Sequence, residues 1–168
     1  MLTLYVMRHA KSSWDQDNIS DFERPLSKRG QHNAKLMAKV MKEKKMFFDI
    51  AYVSGAKRTV ETFRYIKDLN LKKKKIKKDH YLTSIKSLLK SIQTTKDKYK
   101  SVLILNHEPL VSKLTHQLCS KFKNSPKDMI DKFSTGAVAI IQFEKESWEK
   151  IRYGDGKLEG FIKPKYYY

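Results

Sequence analysis

The feature that most constrains this chain is Val102-Leu103-Ile104-Leu105, an uninterrupted apolar run closed by Ser101 and Asn106. A strand with one wet face alternates apolar and polar residues; a continuous run belongs to a strand covered on both sides. Leu2 to Met7 is apolar and β-branched in the same way, and Asp49-Ile50-Ala51-Tyr52-Val53 reads as a short strand. Helical patterns lie between them. Ser27 predicts the cap of a helix running to Lys45, with Ala34, Met37, Ala38 and Met41 on one face. A second helix is expected from Ala56 to Leu69, and a third over 83–95, with Ile85, Leu88, Leu89 and Ile92 as its stripe. Glu108-Pro109 is expected to open a fourth helix, with Pro109 in its first turn, apolar at Leu110, Leu114 and Leu118 and running on through Cys119. Lys72 to Lys75 reads as a basic connector. Gly136 to Phe143 is expected to be a strand, with Ile151 to Gly156 and a tyrosine-rich end closing the chain. Strands alternating with helices predict an α/β fold, a three-layer α/β/α sandwich with a mostly parallel central sheet.

At 168 residues the expectation is one domain spanning 1–168, without repeats or a linker. No apolar stretch approaches the roughly 20 residues of a membrane span, and the first seven residues read as a strand rather than a signal peptide. One cysteine, Cys119, leaves no disulfide framework and no cysteine-based zinc site; it is read as packing. A reduced, cytoplasmic monomer without membrane or nucleic-acid partners is expected.

Charge narrows the function further. Lys and Arg number 36 against 18 Asp and Glu, a net +18, which favours phosphate-bearing partners and speeds encounter with them. Most of the lysines, including the cluster from Lys72 to Lys78, read as solvated surface. Arginine is the informative subset, because its rigid fork matches phosphate oxygens as lysine cannot. There are six: Arg8, Arg24, Arg29, Arg58, Arg64 and Arg152. In a parallel sheet, ligands sit at the carboxyl ends of strands. Arg8-His9 follow the first expected strand, Ser54 to Arg58 the second, and His107 the apolar run. Three strand ends thus deliver histidine or arginine to one edge. There is no Gly-x-x-x-x-Gly-Lys loop, and arginines beside the histidines disfavour a metal; no metal and no cofactor are expected. A histidine among arginines stays neutral and nucleophilic. It can attack phosphorus while the arginines neutralise the phosphoryl oxygens.

The segments Arg8-His9-Ala10-Lys11-Ser12-Ser13-Trp14, Arg24-Pro25-Leu26-Ser27-Lys28-Arg29-Gly30, Ser54-Gly55-Ala56-Lys57-Arg58-Thr59-x-x-Thr62 and Asn106-His107-Glu108-Pro109 resemble the histidine phosphatase superfamily, and within it the SixA-like phosphohistidine phosphatases. The resemblance runs from Leu2 to Phe143 and includes Phe133-Ser134-Thr135-Gly136. It implies a phosphoglycerate mutase-like fold and a metal-independent hydrolase. Its substrate would be phosphohistidine on a partner protein or, alternatively, a small phosphorylated metabolite. A catalytically weak phosphate or phosphoprotein binder is the non-enzymatic alternative. Carried over by motif, His9 would be the nucleophile, Arg8 and Arg58 the phosphoryl clamp, His107 a donor from the opposite side and Arg24 a further phosphate contact. Arg29 is expected at the surface, and Arg64 and Arg152 match no motif. The chain departs from the family pattern at Ala10, at Gly55 and at Glu108, which sets a carboxylate beside the phosphate pocket. No glutamate matches the general acid of larger members; Asp79, His80 and Asp15 are the candidates.

Overall fold

The computed structural model describes residues 1–122 and 132–168. Seven strands form one sheet: β1 (Leu2–Arg8), β2 (Phe48–Ser54), β3 (Asn70–Lys77), β4 (Ser101–Asn106), β5 (Cys119–Phe122), β6 (Val138–Phe143) and β7 (Gly156–Ile162), in the spatial order β3-β2-β4-β1-β6-β7-β5. Among the described residues four α-helices pack against it: α1 (Lys28–Glu43), α2 (Lys57–Ile66), α3 (Ile85–Gln93) and α4 (Leu110–Leu118). The pairs β3–β2, β2–β4, β4–β1 and β5–β7 are parallel; β1–β6 and β6–β7 are antiparallel.

Alternation along the strands builds three layers. Tyr5 and Met7 of β1, with Leu103 and Leu105 of β4, face Met37 and Met41 of α1 and Phe63 and Ile66 of α2. Leu4, Val6, Val102 and Ile104 face Leu88 and Ile92 of α3 and Leu114 and Leu118 of α4. The expected apolar run is therefore covered on both faces, as is β2, whose residues are all buried. Ser27 caps α1 through its hydroxyl, which accepts from the Gly30 N–H at 3.0 Å. Among the described residues no helix is long and apolar enough to cross a membrane.

The structure departs from the sequence-based expectation in four places. The lysine run is not a connector but lies inside β3, an edge strand paired on one side only. Lysine suits such an edge because its charge blocks pairing with another sheet, while its stem lies over apolar neighbours: Lys74 reaches over Phe63 and Lys75 over Tyr52. Cys119 is not helical; the chain straightens there to begin β5 beside β7. The segment after Gly156 is a full strand, with its place fixed by β6 on one side and β5 on the other. In addition, Pro109 sits at the cap of α4 rather than in its first turn.

Candidate active site

Because β1, β4 and β2 are parallel neighbours, their carboxyl ends open on one edge. Arg8 sits opposite Asn106 in register, and the His9 N–H donates to the Asn106 carbonyl at 3.2 Å. The rings of His9 and His107 come to 5.1 Å, centroid to centroid. Arg58 enters from the first turn of α2. A cavity of about 360 Å³ is lined by Arg8, His9, Arg58 and His107 together with Lys11, Ser12, Trp14, Arg24, Glu108 and Thr135. Gly136, next to Thr135, lies in the left-handed region (φ 79°), where a side chain would be strained. Its N–H donates to the carbonyls of Arg8 and His9.

His9 is buried, and its Nδ1 lies 2.6 Å from the Ala10 carbonyl. A carbonyl only accepts, so Nδ1 carries the hydrogen and Nε2 keeps its lone pair. Burial lowers the His9 pKa to about 3; the Ala10 bond opposes this, and His107, Arg58 and Arg8 add to it. The ring is therefore a neutral base at pH 7. His107 is lowered to about 4, by burial first and then by Arg58. Its Nε2 pairs with the Ser54 hydroxyl at 2.8 Å and its backbone N–H donates to Asn106 Oδ1. That leaves Nδ1 without a partner. The glycine-containing turn after β2 is not loose: the Thr59 hydroxyl bonds the carbonyls of Ser54 and Ala56, and Thr62 Oγ1 accepts from the Ala10 N–H.

The arginines are organised by a residue the sequence reading missed. Asp21, in the loop between β1 and α1, accepts from Arg58 at 3.0 Å, from Arg24 at 2.8 Å and from the Tyr81 hydroxyl; its carbonyl takes a second Arg58 bond at 2.7 Å. Burial pushes the Asp21 pKa up, but the bonds from Tyr81, Arg24 and Arg58 outweigh it and hold the carboxyl well below the usual range. It stays anionic and is no proton donor. Arg24 also bonds the Ser13 carbonyl and the Ser12 hydroxyl, and its guanidinium stacks 3.2 Å from the centre of the Trp14 ring, itself 74% exposed. Arg8 donates to the Phe133 carbonyl, and its Nε has no partner among the described residues. The Tyr81 ring stands edge-on to Phe22 and to His107.

None of the three candidate general acids lines the cavity. The Asp79 side chain is 76% exposed and pairs with Lys77. His80 is buried against Ser91, with its Nε2 2.8 Å from the hydroxyl; burial lowers its pKa to about 4, so it carries no proton to give at pH 7. Its carbonyl accepts from Asn106 Nδ2, which steadies the strand end before His107. Asp15 is exposed, its N–H bonded to the Ser13 hydroxyl. Glu108 does line the cavity, but both carboxylate oxygens accept from Ser112, capping the start of α4. Arg64 lies in a surface cleft with Gln31, Glu61 and Tyr65. Arg152 bonds the carbonyls of Glu149 and Ile151. Cys119 is buried, which pushes its thiol up to about 12. Among the described residues no three His, Cys, Asp or Glu side chains gather to hold a metal.

Residues 4–86 match the model of the histidine phosphatase superfamily, branch 1. A phosphohistidine phosphatase SixA from Nakamurella multipartitia superposes with a TM-score of 0.85 at 19% identity, over 97% of this chain and 96% of that one. A protein histidine phosphatase SixA solved with tungstate gives 0.79 at 24% identity, over 98% and 99% of the two chains. An uncharacterized chloroplastic protein of Arabidopsis thaliana is 27% identical over 96% of this chain and 77% of its own length. Residues 4–86, about half of the chain, thus carry the match to the histidine phosphatase superfamily, the fold over the whole chain is similar to that of SixA, and phosphatase is the activity that the family match supports.

Proposed function

We propose that this protein removes the phosphoryl group from phosphohistidine on a partner protein through a covalent intermediate on His9, without a metal. His9 Nε2 donates its lone pair to phosphorus. The bond from phosphorus to the substrate nitrogen breaks in line, and its electron pair returns to the substrate imidazole, which takes a proton from water. Water then attacks phosphorus, the P–Nε2 bond breaks, and His9 and orthophosphate are left. Arg8, Arg58, Arg24 and the free His107 Nδ1 would donate to the phosphoryl oxygens as charge builds on them. The observation that carries this reading is His9 itself: neutral, locked in one tautomer by Ala10 and flanked by two arginines. The bound tungstate of the SixA structure, an oxyanion of phosphate shape, supports it by analogy.

The substrate class rests on the proton donor. No described carboxylic acid is placed to protonate an alkoxide leaving group, whereas an imidazole leaves with little help. Phosphohistidine should therefore exceed sugar phosphates in kcat/KM by at least about tenfold; the opposite ranking would make this a phosphomonoesterase. His9→Ala should lose at least about 10³-fold in turnover, and activity should survive excess chelator. Acid-labile label trapped on the His9→Ala protein, or activity lost to chelation and restored by magnesium, would overturn the mechanism.

A further inference from the structure

A second cavity, of about 410 Å³, adjoins the one that holds His9 and shares two of its wall residues, Lys11 and Thr135. Four cations line it: Lys11 from the loop after β1, Arg29 from the first turn of α1, and Lys163 and Lys165 from the turn after β7. No Asp or Glu is among its described lining residues, and none of these four cations forms an ion pair with another described residue.

The cavity is built into the fold rather than left by mobile side chains. Gly30 packs α1 so tightly on the loop that an added Cβ would stand 2.0 Å from the Lys11 carbonyl oxygen. Gly136 meets the Pro164 ring with the same economy, at 3.0 Å from its own absent Cβ, and so seats the turn that carries Lys163 and Lys165. One polar side chain is buried in the wall. Asn33, 5% exposed, has its Nδ2 on the Tyr168 hydroxyl at 3.1 Å and its Oδ1 without any partner. The cavity offers four cations with no lining Asp or Glu to balance them, a set that suits an anion.

We propose that this cavity is a second anion subsite, which takes the carboxylate of an acidic side chain on the same protein whose phosphoryl group sits at His9. The proposal rests on the phosphoprotein reading above and adds a sequence preference to it. Continuity through Lys11 and Thr135 puts both groups within the reach of one peptide segment. The favoured substrate is a phosphohistidine segment with aspartate or glutamate beside the modified residue.

The test measures binding rather than turnover. Two peptides carry a non-hydrolysable triazole phosphonate in place of phosphohistidine, one flanked by glutamates and the other by glutamines. Each is titrated by calorimetry into the wild-type protein, into the double variant Lys163→Ala with Lys165→Ala, and into a charge-matched control, Lys39→Ala with Lys42→Ala, on the exposed side of α1. The wild type and the control should prefer the glutamate peptide by at least about tenfold, and the Lys163/Lys165 variant should lose most of that ratio. No preference in the wild type overturns the subsite. A preference that persists in the Lys163/Lys165 variant, or falls equally in the control, assigns it to the overall +18 field and also overturns the subsite. Titration of orthophosphate into the wild type separates the two readings: no binding there removes the phosphatase reading, while the peptide ratio still decides the subsite.

Discussion

Three histidines buried as neutral rings make the fold sensitive to acid, by an amount that the structure sets. His9 is held at about 3, and His80 and His107 at about 4, against about 6.5 in an unfolded chain. A folded pKa below the unfolded one means that the unfolded chain binds more protons once the pH drops under 6.5. Stability is therefore complete above that value and is lost as pH falls toward the folded pKa values. At pH 5 each histidine costs about 1.36 kcal/mol times 1.5 pH units, or about 2 kcal/mol, so the three together cost about 6 kcal/mol. That is a large share of the roughly 5–15 kcal/mol that holds a domain together. Asp21 does not offset it, since its depressed pKa moves its own contribution to a lower pH than this window. Urea unfolding followed by tryptophan fluorescence, with fully buried Trp148 as reporter, should show the loss between pH 7 and 5. The buffer must be free of phosphate, which would stabilise the folded state by binding it. His80 lies outside the cavity, so His80→Gln should remove about one third of the pH dependence and leave the other two histidines titrating. A stability flat across that range, or a slope unchanged in His80→Gln, would refute the reasoning.

Two further outcomes follow from the site's supports. Asp21→Asn should lower kcat about tenfold by freeing Arg58 and Arg24 from their positions, yet orthophosphate should bind no more weakly, because a competing carboxylate charge is gone; kinetics and calorimetry that fell together would contradict a positioning role. Gly30→Ala should destabilise the fold by at least about 2 kcal/mol, read by denaturant midpoint, because its methyl group would collide with the Lys11 carbonyl.

The parts of this molecule that could be read from sequence are those in which neighbours in the chain do the work. The apolar run of β4 dictates a covered strand wherever it sits, and Arg8-His9 and His107 reach the same edge simply by following parallel strands. Asp21 could not be found that way. Its partners Arg58 and Tyr81 arrive from other elements, and only the Asp21–Arg24 spacing, three residues within a polar loop, hinted at it. The lysine-rich β3 was hidden because an edge strand needs no apolar alternation, only a neighbour. The three acid candidates lie outside the cavity lining for a related reason: proximity in sequence to the strand ends did not fix where each side chain would turn.

The central place of β1 has a consequence for how the protein is made. The strand that precedes the nucleophile leaves the ribosome before its two sheet partners, β4 and β6, between which Leu4 lies opposite Val102 and Ile141. Until β6 has been synthesised, β1 has an unpaired edge, and the carbonyls of Arg8 and His9 lack the Gly136 N–H that fastens them. Contacts so distant along the chain close slowly, because the loop entropy is lost before any pairing energy is gained. A nascent chain stopped before Gly136 would thus contain Arg8, His9, Arg58 and His107 and still lack a finished pocket.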